Sequence, residues 1–97
     1  MHKYELMYIV RPELDEEKLN ANREKVQDVI TQNEGETVEL KHFGKRRLAY
    51  EINDNREGIY TVITFNGVEA TVNELDRLIK LNDDVVRHMV INIDDKK

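Results

Sequence analysis

The side chains most able to bind a charged ligand form one short basic run near the middle of the chain. Lys45, Arg46 and Arg47 follow Gly44 directly. An arginine binds phosphate through two parallel hydrogen bonds, so this run is typical of contact with a phosphate backbone. A second interpretation is equally open from composition alone: the charges protect a solvated strand edge against pairing with another chain.

The net charge of the whole chain conceals this run. The chain has 97 residues with Lys+Arg 15 and Asp+Glu 20, and its net charge of −5 by itself argues against nucleic acid as a partner. Residues 1–40 carry five basic and ten acidic groups, and residues 53–97 carry six and nine, whereas residues 41–52 carry four basic groups and one acidic group. Because charges further apart than a Debye length of about 8–10 Å are largely screened, this local positive excess is the better guide to a partner.

No other group of residues suggests catalysis or metal binding. The chain contains no cysteine and no serine, which excludes disulfides, thiolate metal sites and serine nucleophiles. The three histidines, His2, His42 and His88, lie in separate predicted strands without the spacing of metal ligands. The four glycines are dispersed and form no phosphate-binding loop. We therefore predict no catalytic residue, no metal, no cofactor and no small-molecule substrate.

The sequence also predicts a cytoplasmic domain without a membrane partner. No apolar run approaches the roughly 20 residues that a membrane-spanning helix needs. Charged residues interrupt the first five positions, so the start of the chain lacks the pattern of a secretory signal.

The elements that must position the basic run begin with a strand and a helix. Apolar residues alternate from Lys3 to Val10; the predicted core face holds Tyr4, Leu6, Tyr8 and Val10, and the other face holds Glu5, Met7 and Ile9. Asp15 is the predicted N-cap of a helix that ends near Asn33, with Gly35 placed where a left-handed residue would close it.

Three further strands and a second helix follow. A strand is predicted over residues 37–52, with Gly44 at a bulge, a bend or a junction of two pieces. Residues 53–58 give the strongest turn signal, and residues 59–65 form the third strand. Thr71 is the predicted N-cap of the second helix, and Glu74 completes its capping box. Residues 85–93 form the fourth strand and residues 94–97 a frayed tail, so residues 1–93 make one domain.

This order of elements, β-α-β-β-α-β, predicts a ferredoxin-like α+β fold. Right-handed crossovers place two helices on one face of a four-stranded antiparallel sheet, with the first and third strands in the centre. The other sheet face stays open, and Met7 and Ile9 make part of it apolar. Either a partner covers that surface, or these are the scattered aliphatic side chains that any protein surface carries.

Ferredoxin-like domains include RNA-recognition motifs, which stack bases on aromatic side chains of the central strands. That mechanism fails here, because the corresponding stretch of residues 57–62 has Ile59 and Thr61 at the stacking positions and Glu57 at the basic one. Any RNA contact must therefore come from basic side chains, and the candidates are Lys45, Arg46, Arg47, His2, Lys3 and Arg87. Arg46 and Arg47 point to opposite faces of an ideal strand. Tyr50 and Tyr60 are better explained as core residues than as contacts with RNA.

The run from Gly44 to Tyr50, with Tyr4-Glu5 near the start and residues 87–90 near the end, resembles the bacterial small-subunit ribosomal protein six family. The resemblance extends over essentially the whole chain. It implies a ferredoxin-like fold, no enzymatic activity and a cytoplasmic, ribosomal location. It also implies binding to small-subunit ribosomal RNA in the central domain, or platform, as a heterodimer with the basic ribosomal protein eighteen of the small subunit. The resemblance implies that Arg46 and Arg47, which match the family motif, contact RNA, and that Arg87 in the last strand does so as well.

Two other functions fit the same predicted fold. One is a non-ribosomal regulatory or interaction module that self-associates through its open sheet face. The other is a small hydrolase, which is disfavoured because the sequence offers no nucleophile–base pair.

Overall fold

The computed structural model describes the backbone of residues 1–52 and 55–94 and the side chains of residues 1–47 and 57–94. Within these ranges the elements follow the predicted order. They are β1 (His2–Val10), α1 (Glu16–Gln32), β2 (Glu36–Ile52), β3 (Asn55–Gly67), α2 (Glu69–Lys80) and β4 (Val85–Asn92).

The four strands form one antiparallel sheet in the order β2-β3-β1-β4, with β1 and β3 in the centre as predicted. Both helices pack on the same sheet face, which we call the helix face, and the opposite face is the open face. The predicted ferredoxin-like fold is thereby confirmed.

The core lies between the helix face and the two helices. Tyr4, Leu6, Tyr8 and Val10 are each at most 9% exposed, which confirms the alternation predicted for β1. They pack against side chains of β3, α1 and α2, of which the most buried are Ile30, Ile63, Phe65 and Leu75. Burial of one such side chain contributes about 1.5–3 kcal/mol, so this layer supplies most of the driving force for folding.

The N-terminus of α1 is capped as predicted, but its C-terminus is not. The Asp15 carboxylate accepts a hydrogen bond from the backbone N–H of Lys18 at 2.9 Å. The left-handed residue after α1 is Glu34, with φ 66°, and not Gly35 as predicted. Gly35 is needed for another reason: the chain passes so close to Ile30 that a Cβ there would lie 2.6 Å from Ile30 Cγ2.

The prediction that Thr71 is the N-cap of α2 is wrong. The helix begins at Glu69 after Val68, so Thr71 is its third residue. The Thr71 hydroxyl still caps the helix, because it accepts a hydrogen bond from the Val68 N–H at 3.1 Å. Because Thr71 is not the N-cap, Glu74 cannot complete the predicted capping box, and its carboxylate instead pairs with Arg77.

The hairpin formed by β2 and β3 differs from the prediction at its tip. β3 begins at Asn55, opposite Ile52, so residues 55–58 belong to the strand and not to the predicted turn, while Asn53 and Asp54 lie outside the described residues. β1 ends at Val10, opposite Ile59, and the β2–β3 pairing continues beyond this row as a two-stranded extension.

Asp94, which we placed in the tail, makes defined contacts. Its carboxylate is hydrogen-bonded to the His2 ring through Nδ1 and accepts from the Lys3 backbone N–H. These bonds close the end of the β1–β4 pair. Residues 95–97 lie outside the described part of the chain.

Candidate nucleic-acid interface

The pairing register fixes which basic side chains share a face of the sheet. Paired residues of antiparallel strands project to the same side, and side chains alternate along each strand. Ile9 pairs with Tyr60 on one side and with Arg87 on the other, and Tyr60 pairs with Gly44. This row runs across all four strands and belongs to the open face.

Arg46 and Arg87 lie on the open face at the same end of the sheet. Arg46 is opposite Gly58, two residues beyond the row that contains Arg87, and both arginine side chains are exposed. Neighbouring strands are about 4.8 Å apart and each residue adds about 3.3 Å, so the two Cα atoms are separated by on the order of 15 Å. Both guanidinium groups can therefore contact one extended polyanion.

Lys45 and Arg47 project from the other side of the hairpin. Lys45 is opposite Ile59, a core residue of the helix face, and Arg47 is opposite Glu57. The register thus places Arg46 and Arg47 on opposite faces, as the alternation predicts. A carboxylate directly across from Arg47 competes with phosphate for its charge.

His2 and Lys3 are not brought together with the arginines. Lys3 lies six residues before Ile9 on β1, which is about 20 Å along the strand. The backbone N–H of Lys3 and the His2 ring both bind Asp94, and these hydrogen bonds, in that order, lower the pKa of the Asp94 carboxyl. This end of the sheet is occupied by a contact that holds β1 to β4.

The histidine next to Arg87 belongs to the opposite face. His88 pairs with Tyr8 on the helix face, and its Nε2 lies 2.7 Å from a carboxylate oxygen of Asp76 in α2. The His88 side chain is largely covered, so it ties β4 to α2 and does not extend the basic surface. His42, three residues before Lys45, has its pKa lowered by partial desolvation and by the charge of Arg23, which favours a neutral ring.

The centre of the open face is apolar. A depression of about 140 Å³ lies here, and the residues that line it are Met7, Ile9, Tyr60, Arg87, His88 and Met89. Ile9 is only 4% exposed because its neighbours on the sheet cover it, whereas Met89 and Ile91 of β4 are 37% and 38% exposed. Tyr60 is half-buried and Tyr50 lies outside the described side chains.

Two glutamates follow the apolar centre towards the far end of the open face. Glu39 pairs with Thr64, and Thr64 pairs with Glu5, whose other neighbour is Ile91. Lys41 also belongs to the open face, in the row of Met7 and Met89, and its Nζ lies 3.8 Å from a carboxylate oxygen of Glu39. The open face therefore carries arginines at the hairpin end, an apolar centre with one lysine on the β2 edge, and two glutamates at the far end.

Sequence reasoning missed one residue at this interface. Phe43 lies immediately before Gly44 and is 44% exposed, although it is a large aromatic side chain in a strand. The signal was an aromatic residue next to a glycine within a run of cations.

Among the residues that the structure describes, no three histidine, aspartate or glutamate side chains are grouped in a way that suits a metal ion. Within the same residues, neither helix has the length and apolar character required to cross a membrane.

An antiparallel β2-β3-β1-β4 sheet with both helices on one face defines a ferredoxin-like protein, and Arg46 and Arg87 are exposed on its open face. The family model for ribosomal protein S6 matches residues 3–92, so the chain belongs to the ribosomal protein S6 family, a structural family of small-subunit ribosomal proteins. The chain is also similar to the crystal structure of 30S ribosomal protein S6 from Thermotoga maritima, with a TM-score of 0.90 and 29% sequence identity. That match covers 94% of this chain and 86% of the other, and the resemblance found in the sequence is confirmed.

Proposed function

We propose that the protein binds small-subunit ribosomal RNA in the platform, as a heterodimer with the basic ribosomal protein eighteen of the small subunit. The observation that carries this proposal is the placement of Arg46 and Arg87 at one end of the open face, in a member of a ribosomal protein family. The role makes the protein a non-catalytic part of the ribosome in the cytoplasm.

The RNA contact in this proposal is electrostatic. Phosphate contacts from arginine position a protein on RNA without reading its sequence, so specificity comes from RNA shape and from the partner. Few cations are available, and the chain as a whole carries a net charge of −5. The protein alone therefore binds RNA weakly, and the basic partner supplies further affinity.

The partner protein fits the remaining part of the open face. Met89 and Ile91 expose apolar surface on β4, and Glu5 is paired directly with Ile91, while Glu39 lies in the same row on the opposite edge strand. A surface that combines apolar side chains with carboxylates is complementary in charge to a basic protein. In this arrangement RNA occupies the hairpin end of the face and the partner occupies the rest.

The proposal is tested by filter binding of the heterodimer to a platform RNA fragment at several salt concentrations. The Arg46→Ala/Arg47→Ala variant is expected to lose affinity and to show a shallower dependence on salt, because fewer counterions are released. Lys18→Ala/Lys25→Ala is the matched control, since it removes the same charge from exposed positions of α1. Equal affinity of wild type and the arginine variant would remove Arg46 and Arg47 from the interface.

Self-association through the open face is the competing function, and the exposed Met89 and Ile91 are the observation that favours it. Sedimentation equilibrium of the isolated protein distinguishes the two. A monomer that pairs only with the partner protein agrees with the ribosomal proposal, and a stable homodimer contradicts it.

A further inference from the structure

We propose that Phe43 is a stacking platform for an unpaired RNA base, held in position by a β-bulge and flanked along the strand by cations, of which those on the same side of the strand as the RNA bind the adjoining phosphates. This inference rests on the proposed RNA-binding function and deepens it, because it adds a base contact to a surface otherwise limited to phosphates.

Exposure distinguishes Phe43 from the other aromatic side chains that the structure describes. Tyr4, Tyr8 and Phe65 are at most 9% exposed and Tyr60 is half-buried, whereas Phe43 is 44% exposed. A phenylalanine has no polar atom that benefits from water, so its exposure leaves a flat apolar ring available to a ligand.

The backbone at Phe43 departs from regular pairing. His42 pairs with Thr61 and Gly44 pairs with Tyr60, which leaves Phe43 without a cross-strand partner. Gly44 has φ +72°, a conformation that other residues adopt only with strain. A bulge of this kind redirects a side chain and interrupts pairing, and here it does both on an edge strand that is accessible from the side.

The charge around Phe43 identifies its ligand. Lys41, Lys45, Arg46 and Arg47 lie within four residues of it and are all exposed. Lys41 and Arg46 belong to the open face, whereas Lys45 and Arg47 project from the other side of the strand, and Lys41 Nζ lies 3.8 Å from a carboxylate oxygen of Glu39. An exposed aromatic ring among cations is the combination that binds single-stranded nucleic acid, since bases stack on the ring while phosphates meet the charges. The local excess of positive charge disfavours the proposed protein partner, which is itself basic.

A second copy of this chain is disfavoured at the same place. Edge strands are protected from pairing with one another by bulges and by charge, and β2 has both around Phe43. A single-stranded RNA segment needs no backbone pairing with the strand, so neither feature hinders it.

The test compares Phe43→Leu and Phe43→Trp with wild type in the heterodimer, bound to the platform RNA fragment. Phe43→Leu keeps an apolar side chain but removes the ring, and it is expected to weaken binding between about fivefold and a hundredfold. Phe43→Trp is expected to keep the affinity. Because the chain has no tryptophan, the new indole is its sole one, and its fluorescence is expected to be quenched when RNA is added.

The outcomes separate this inference from the function on which it rests. If Phe43→Leu binds RNA like wild type while Arg46→Ala/Arg47→Ala binds weakly, RNA binding stands and stacking is refuted. If neither variant changes the affinity, the proposed RNA surface itself is refuted. If Phe43→Leu weakens binding of the partner protein in titrations without RNA, Phe43 is a protein contact and the inference is overturned.

Discussion

The hydroxyl of Thr71 donates a hydrogen bond of 2.5 Å to the backbone carbonyl of Asn33, the residue that closes α1. The same oxygen accepts from the Val68 N–H at 3.1 Å, so one buried side chain joins the end of α1 to the start of α2. These two helices are the only elements on the helix face among the described residues, and Thr71 sets where one ends relative to the other.

Replacement of Thr71 by valine is expected to lower the free energy of unfolding by about 1–3 kcal/mol, because two partly buried backbone groups lose their partner while the volume is kept. Urea denaturation measures the change. Thr71→Ser is the matched control, since it retains the hydroxyl, and it is expected to recover most of the stability. A Thr71→Val protein as stable as wild type would show that the bridge contributes nothing.

Alanine is expected to destabilise more at Gly35 than at Gly44. At Gly35 the added Cβ meets the backbone oxygen of Ile30 at 2.7 Å, so the α1–β2 connection must shift. At Gly44 nothing lies within 4 Å of the new atom, and only the positive φ opposes it, at about 1–2 kcal/mol. Thermal unfolding of the two variants compares their stabilities. A Gly44→Ala variant less stable than Gly35→Ala would contradict this explanation.

The contact of Asp94 with His2 and Lys3 is expected to make stability depend on pH in the acidic range. Because these hydrogen bonds lower the pKa of the Asp94 carboxyl, the folded state binds the proton less readily than the unfolded state. The stabilisation is therefore present above the usual carboxyl pKa and is lost as the pH falls through the lowered value.

Asp94→Asn tests this dependence. The variant is expected to be less stable than wild type at neutral pH, and the difference is expected to shrink as denaturation is repeated at progressively more acidic pH. A difference that stays constant across that range would mean that the charge of Asp94 plays no part.

Arg46 and Arg87 are expected to act together in RNA binding because they share the open face. In the heterodimer, Arg46→Ala/Arg87→Ala is expected to weaken platform RNA binding more than Lys45→Ala/Arg47→Ala, although each pair removes two charges. Filter binding over a salt series measures both affinity and slope, and each lost phosphate contact flattens the slope by about 0.7–0.9. Circular dichroism establishes that the Arg87 variant is folded, and a larger loss for Lys45/Arg47 would place RNA on the other side of the hairpin.

Alternation and capping residues predicted most of the fold. Tyr4, Leu6, Tyr8 and Val10 alternate strictly and are buried, and Asp15 caps α1, because both features depend on neighbours in sequence. The predicted roles of Thr71 and Gly35 were wrong because each depends on a tertiary contact. Thr71 donates to the carbonyl of Asn33, and Gly35 packs against the side chain of Ile30.

The candidate site was predicted only in part. The basic run was visible as a charge excess, but the shared face of Arg46 and Arg87 depends on the pairing of Ile9 with Tyr60 and Arg87, which no local pattern encodes. His2 and Lys3 are basic in the sequence, yet their place at the far end of the sheet follows from strand direction alone.

The two-stranded extension of β2 and β3 beyond Val10 has an evolutionary consequence. Arg46 and Arg47 lie in a part of the hairpin that β1 does not accompany, so a change of charge there disturbs few core contacts. Exposed substitutions of this kind usually alter stability by no more than about 0.5 kcal/mol. Substitutions that change the charge of this extension can therefore accumulate between lineages without first requiring a compensating gain in the stability of the fold.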